Sequence, residues 1–142
     1  MKQKFLCKTW GGLFAAIVAL SMLNACRTPA PPNSLATHDS RRWEKEIHAF
    51  ELSDETNPPP ANCIVFVGSS SIRKWKTLAE DFPGLPVINR GFGGSAIADS
   101  VNFADRIIIP YHPREVVIYA GSNDLHGGEP PDLVYGDFVA LV

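Results

Sequence analysis

Cysteine is scarce in this chain, with only Cys7, Cys26 and Cys63. Cys7 lies in a segment that reads as removable, and Cys26 stands just after it. Once Cys7 is removed and Cys26 carries lipid, Cys63 has no partner and an intrachain disulfide is not available. A lone cysteine opening an apolar strand is expected to be a small buried residue, not a reactive thiol. Long apolar runs are missing as well: Gly11 to Leu23 falls short of the roughly 20 residues a spanning helix needs. Acidic residues are absent from the first 25 positions, which hold three of the thirteen basic residues. Residues 26–142 carry ten basic against fifteen acidic residues, a net charge of −5. Such a balance does not suit a polyanion, and no nucleic acid is expected as a partner.

What is present at the start is a set of lysines, Lys2, Lys4 and Lys8, ahead of the short apolar run. This is the layout of a secretory signal. The run ends in Leu23-Asn24-Ala25-Cys26, which resembles the bacterial lipobox. That resemblance implies residues 1–25 as a lipoprotein signal peptide and Cys26 as the lipidated first residue of the mature chain. The protein is then expected at the cell envelope, exported and tied to a membrane by acyl chains. Arg27, where an aspartate would retain it at the inner membrane, points to the outer membrane in a host that has one. Residues 26–37, containing "RTPAPPNSLAT", are rich in Pro and small residues and are expected to form an extended tether.

From His38 to Leu52 the pattern "HDSRRWEKEIHAFEL" puts Trp43, Ile47 and Phe50 on one face of an amphipathic helix, with Leu52 near it. "ETNPPPAN" stops that helix, because consecutive prolines cannot continue it, so 38–61 reads as a helix and a Pro-rich connection. From residue 62 onward apolar and helical segments alternate: "CIVFV", "SIRKWKTLAEDF", "LPVINR", "SAIADSVNFADRII", "EVVIYA" and "PDLVYGDFVALV". That order is βαβαβα. Ile64 to Val67 and Val116 to Tyr119 are apolar at successive positions, as strands covered on both faces are. The expected class is α/β, a flavodoxin-like three-layer α/β/α arrangement around a parallel sheet. In such sheets chemistry gathers at the carboxyl ends of the strands.

Those three ends read "GSSS" (68–71), "NRGFGGS" (89–95) and "GSND" (121–124). Taken singly each has an ordinary explanation: a serine before a helix caps it, glycines turn the chain, and Asn-Asp makes a turn. Together and in this order they resemble the first three motif blocks of the SGNH hydrolase superfamily, the GDSL-type esterases and lipases. The match spans about residues 62–142. It implies Ser70 as the nucleophile behind Gly68, with Ser69 in place of the usual aspartate. It also implies Gly94 and Asn123 as donors that, with the Ser70 N–H, hold the oxyanion formed when the serine attacks an ester. Fixed donors of this kind contribute about 10²–10³ in rate each. Ser69 or Ser71 is left to cap the helix.

The same resemblance implies a general base from a further block, D-x-x-H, since a serine hydroxyl needs one near neutral pH. The nineteen residues after Asn123 contain no such block. His38 and His48 precede the sheet, and His112 lies on the loop entering the third strand. His126, in "NDLHGG", is alone on the right side, and its loop suggests substrate contact or plain solvent exposure, with the base as the lesser alternative. Three strands stand where the family has five, and "FVALV" ends inside a helical pattern. The expectation is therefore the N-terminal part of an SGNH hydrolase, truncated after three strands, acting on acyl or acetyl esters with no cofactor and no metal. The alternative is a non-catalytic envelope lipoprotein that uses the fold to bind a ligand or partner. "GFGGSA" (91–96) also fits a dinucleotide fingerprint, but its candidate acid, Glu115, begins its strand and so falls at the wrong end of the sheet.

Overall fold

In a computed structural model the chain is described from residue 29 to residue 142. The signal segment, and Cys26 with it, lies outside the described residues. Among the described residues no helix is long and apolar enough to cross a membrane.

Three parallel strands, β1 (Ile64–Gly68), β2 (Val87–Gly91) and β3 (Glu115–Tyr119), form one sheet in the order β2-β1-β3. The register sets Gly68 against Gly91 on one side and Tyr119 on the other. All three polar segments therefore leave the sheet at the same edge. Among the described residues seven α-helices accompany the strands: α1 (Glu44–Thr56), α2 (Ser70–Lys74), α3 (Leu78–Asp81), α4 (Ile97–Asn102), α5 (Ala104–Ile107), α6 (Ser122–His126) and α7 (Pro131–Leu141).

β1 is apolar at every position because it feeds two cores. Cys63, Val65 and Val67 pack with Ile47 of α1, Phe92, Phe103 and Ile107, while Ile64 and Phe66 pack with Ile72 and Leu78 on the opposite face. Alternate side chains of a strand point to opposite faces, so this split is the three-layer α/β/α arrangement read from the sequence. Cys63 is fully buried, and that burial pushes its thiol pKa up. The helix expected over 38–52 begins later and ends later: a 3-10 turn at Arg41–Trp43 leads into α1. Trp43, Ile47 and Phe50 do face the core, whereas Leu52 is exposed. Two of the expected helices are each broken into a short pair, and a short helix, α6, forms at the Asn-Asp segment in place of a simple turn.

The stretch expected as an extended tether is not extended up to residue 37. Ser34 is buried, and its N–H and hydroxyl both donate to the Asp137 carboxylate of α7 at 2.7 Å. The N–H groups of Thr37 and His38 turn back onto Ser34 O. Composition gives local flexibility, but a buried carboxylate on a distant helix recruits the donors it needs.

Candidate active site

β1 delivers the chain to the sheet edge at Gly68. A Cβ there would lie 2.1 Å from the Tyr119 carbonyl oxygen of β3, so only glycine fits the approach. Ser69 follows, buried at the N-cap position of α2, and Ser70 opens the helix, partly exposed. The capping role left open for Ser69 or Ser71 is not taken up, because no serine side chain caps α2. Among the described residues the Ser70 hydroxyl has no hydrogen-bond partner. It stands at a helix N-terminus, where the first N–H groups are unpaired within the helix.

The second block leaves β2 through Phe92, whose N–H donates to Gly68 O at 3.0 Å and so holds this loop against the end of β1. Gly94 is exposed and has φ +85°, a conformation that favours glycine. The Trp43 indole lies under it, 3.5 Å from where a Cβ would stand. The rest of the loop is fixed by Asp99, which is fully buried on α4. Its carboxylate accepts the Ala96 N–H at 2.8 Å, the Ser40 hydroxyl at 2.7 Å and the Trp43 indole N–H at 3.0 Å, and it lies 2.8 Å from His38 Nε2. One buried acid thus ties the N-terminal segment to the loop carrying Gly94. Sequence reading passed over Asp99, although its spacing from Phe103, on the buried side of a helical pattern, is the signal that could have revealed it.

The third block closes on the second. Asn123 Nδ2 donates to Ser95 O at 2.8 Å, and the adjacent Asp124, buried, accepts the Ile97 N–H at 2.9 Å. An amide nitrogen carries two hydrogens, so Asn123 keeps one N–H beyond the bond to Ser95. The structure therefore gathers the Ser70, Gly94 and Asn123 segments at one edge of the sheet and bonds the last two together. His126, at the end of α6, is exposed and has no hydrogen bond among the described residues. Of the other histidines, His38 is held by Asp99 and His48 by Glu51, and His112 sits at the opposite edge, just before β3. Glu115 opens β3 opposite Ile64, at the edge away from the glycine loop, which sets aside the dinucleotide reading.

Large pKa shifts occur away from this edge. Hydrogen bonds from Arg106 hold Glu51 down to about 2, and burial together with a bond to Asp54 pushes Tyr111 up to about 12. One group of acids, Asp124, Glu129 and Asp137, brings ligand atoms within 4.8 Å of one another. Asp137 already accepts two bonds from Ser34, so the group has a part in docking the N-terminal segment.

No protein-family model matches the chain, and no curated protein matches it. Solved structures do. A GDSL-like lipase from Bacteroides thetaiotaomicron aligns with a TM-score of 0.54 at 24% identity, covering 72% of this chain and 50% of that one. A Streptococcus pneumonia protein assigned as a platelet activating factor aligns at 0.59 and 14% identity, covering 90% and 52%. A Bacteroides fragilis protein assigned to the acylhydrolases aligns at 0.54 and 23%, covering 71% and 49%. The chain has the fold of the GDSL-like, SGNH-type hydrolases, and it spans about half the length of the structures it matches.

Proposed function

We propose that the chain carries the nucleophile and oxyanion-binding part of a serine ester hydrolase of the SGNH type. Ser70 attacks the ester carbonyl carbon. The electron pair of the C=O bond moves to oxygen, where the N–H groups of Ser70 and Gly94 and the free N–H of Asn123 stabilise it. The alcohol then leaves and an acyl-serine remains for water to cleave. The observation that carries this reading is the Asn123 to Ser95 bond, which fastens the third block to the second at the edge where Ser70 emerges. The Ser70 proton needs a base, and none of the described histidines is bonded to Ser70. The 142-residue chain by itself is therefore expected to turn over p-nitrophenyl acetate only slightly above background, and Ser70→Ala to remove that excess. Robust turnover lost in both Ser70→Ala and His126→Ala would assign the base to His126 and contradict this reading of it. Turnover indifferent to Ser70 would leave the ligand-binding alternative.

We further propose that acyl chains on Cys26 hold the protein at the envelope membrane. The short apolar run and the Leu-Asn-Ala-Cys ending support it. Labelled palmitate should enter the protein and be absent from Cys26→Ser; equal uptake by both would overturn the anchor.

A further inference from the structure

Beside the Gly93–Gly94 loop, between α2, α3 and the outer edge of β2, lies a cavity of about 330 Å³ lined by Phe50, Arg73, Trp75, Lys76, Asn89 and Gly91 among others. This is the lower end of the ligand-pocket range of roughly 300–1,000 Å³. Two features describe its charge. Its lining includes two cations and no acidic residue, in a chain whose net charge is −2. Arg73 and Lys76 are both exposed, and neither side chain has a hydrogen bond or ion pair among the described residues. The nearby Asp81 is outside the lining and pairs with neither cation: one oxygen of its carboxylate accepts the Trp75 indole N–H and the Thr77 hydroxyl.

The cavity has rigid apolar walls. Trp75 packs edge-on to Phe66 and tilted against Phe82, so its ring has little freedom to collapse into the space. Asn89 is spent on the backbone: its amide donates to Ile72 O and its oxygen accepts the Gly91 N–H. The positive charge of the lining thus rests on Arg73 and Lys76.

Arg73 also connects the cavity to the candidate active site. It stands three residues after Ser70 on α2, a spacing that puts both on neighbouring parts of one helix face. Its guanidinium lies against Gly93, with Nε 2.5 Å from where a Cβ would be. We propose that this cavity is a subsite for an anionic group, a carboxylate or a phosphate, carried on a flat apolar body, with Arg73 as the reader of the charge. This names the substrate class for the hydrolase reading and rests on it: an ester whose acyl or alcohol half ends in an anion. The guanidinium offers paired donors to two oxygens, and Trp75 offers a ring face to the apolar part.

The test is a binding measurement and does not require turnover. Benzoate, phenyl phosphate and the neutral isostere benzamide are titrated into the purified 142-residue protein by calorimetry, with Arg73→Gln and Lys76→Gln beside it and far-UV circular dichroism as a control of folding. Benzoate or phenyl phosphate is expected to bind about tenfold more tightly than benzamide, the preference falling to near unity in Arg73→Gln and partly in Lys76→Gln. The tighter of the two anions says whether carboxylate or phosphate is preferred. Equal affinity for benzoate, phenyl phosphate and benzamide, no binding of either anion, or anion binding unchanged in Arg73→Gln would overturn the proposal. Anion binding by a protein whose p-nitrophenyl acetate turnover does not depend on Ser70 would keep the subsite and remove the hydrolase reading.

Discussion

β1 and β3 read almost alike, "IVFVG" against "EVVIY", yet every residue of β1 is buried while Val116 and Tyr119 of β3 are 37% and 59% exposed. The difference lies in their neighbours. β1 is the central strand, with α1, α4 and α5 over one face and α2 and α3 over the other. Among the described residues β3 is an edge strand, and exposed apolar residues continue from it onto α7 at Tyr135, Phe138 and Val139. An apolar run therefore specifies a strand that can be covered on both faces, and the rest of the fold decides whether it is. The two sides of the sheet should respond to mutation accordingly.

The largest effect is expected in the core on the β1 side. Phe92 is fully buried and packs edge-to-face with Trp43 and Phe103, so Phe92→Ala should lower unfolding free energy by about 3–5 kcal/mol in urea denaturation. Next is Asp99→Ala, which leaves the Ala96 N–H, the Ser40 hydroxyl and the Trp43 indole without their acceptor; a loss of about 3 kcal/mol is expected. If the N-terminal segment were only loosely laid on the sheet, Asp99→Ala would change the thermal midpoint little.

Smaller effects come from titration. Arg106 holds Glu51 below its ordinary 4.5, at about 2. The unfolded chain takes up this proton first as pH falls, so the stability from the pair is fully present above pH 4.5 and is lost between 4.5 and about 2. Glu51→Gln should flatten that part of the stability profile. Tyr111 works in the opposite range: burial and the Asp54 bond raise its folded value from 10.0 to about 12, so the stability it contributes is present below pH 10.0 and changes only as pH rises through that interval. Because the unfolded chain releases this proton first, stability falls there, and Tyr111→Phe should remove that alkaline loss. The smallest effect belongs to β3, where Val116→Ala and Tyr119→Ala are expected within about 0.5 kcal/mol of the parent. A loss above about 2 kcal/mol at either position would break the contrast between the strands.

Much of this was legible in the sequence because it depends on local chemistry. The alternation of apolar and helical segments carried the three-layer class, and "GSSS", "GFGGS" and "GSND" marked the edge where the strands end. The Trp43, Ile47 and Phe50 face was visible as a helical period. What escaped depends on pairings far apart in the chain. Nothing near Ser34 announces that Asp137 will bind it, and nothing near His38 announces Asp99. The Asn123 bond to Ser95 likewise exists only once β1 lies between β2 and β3. Nothing near Arg73 announces that the fold will set it against Gly93.

The central claim is that the strand ends make a nucleophile and its oxyanion donors. It is tested most directly by exposing the protein to a fluorophosphonate and locating the adduct by peptide mass spectrometry. The phosphonyl group should be found on Ser70, slowly because no base is bonded to it, absent from Ser70→Ala, and attached more slowly still in Asn123→Ala, where one donor is missing. Labelling spread over Ser69, Ser71 and other serines, or a rate at Ser70 indifferent to Asn123, would contradict it.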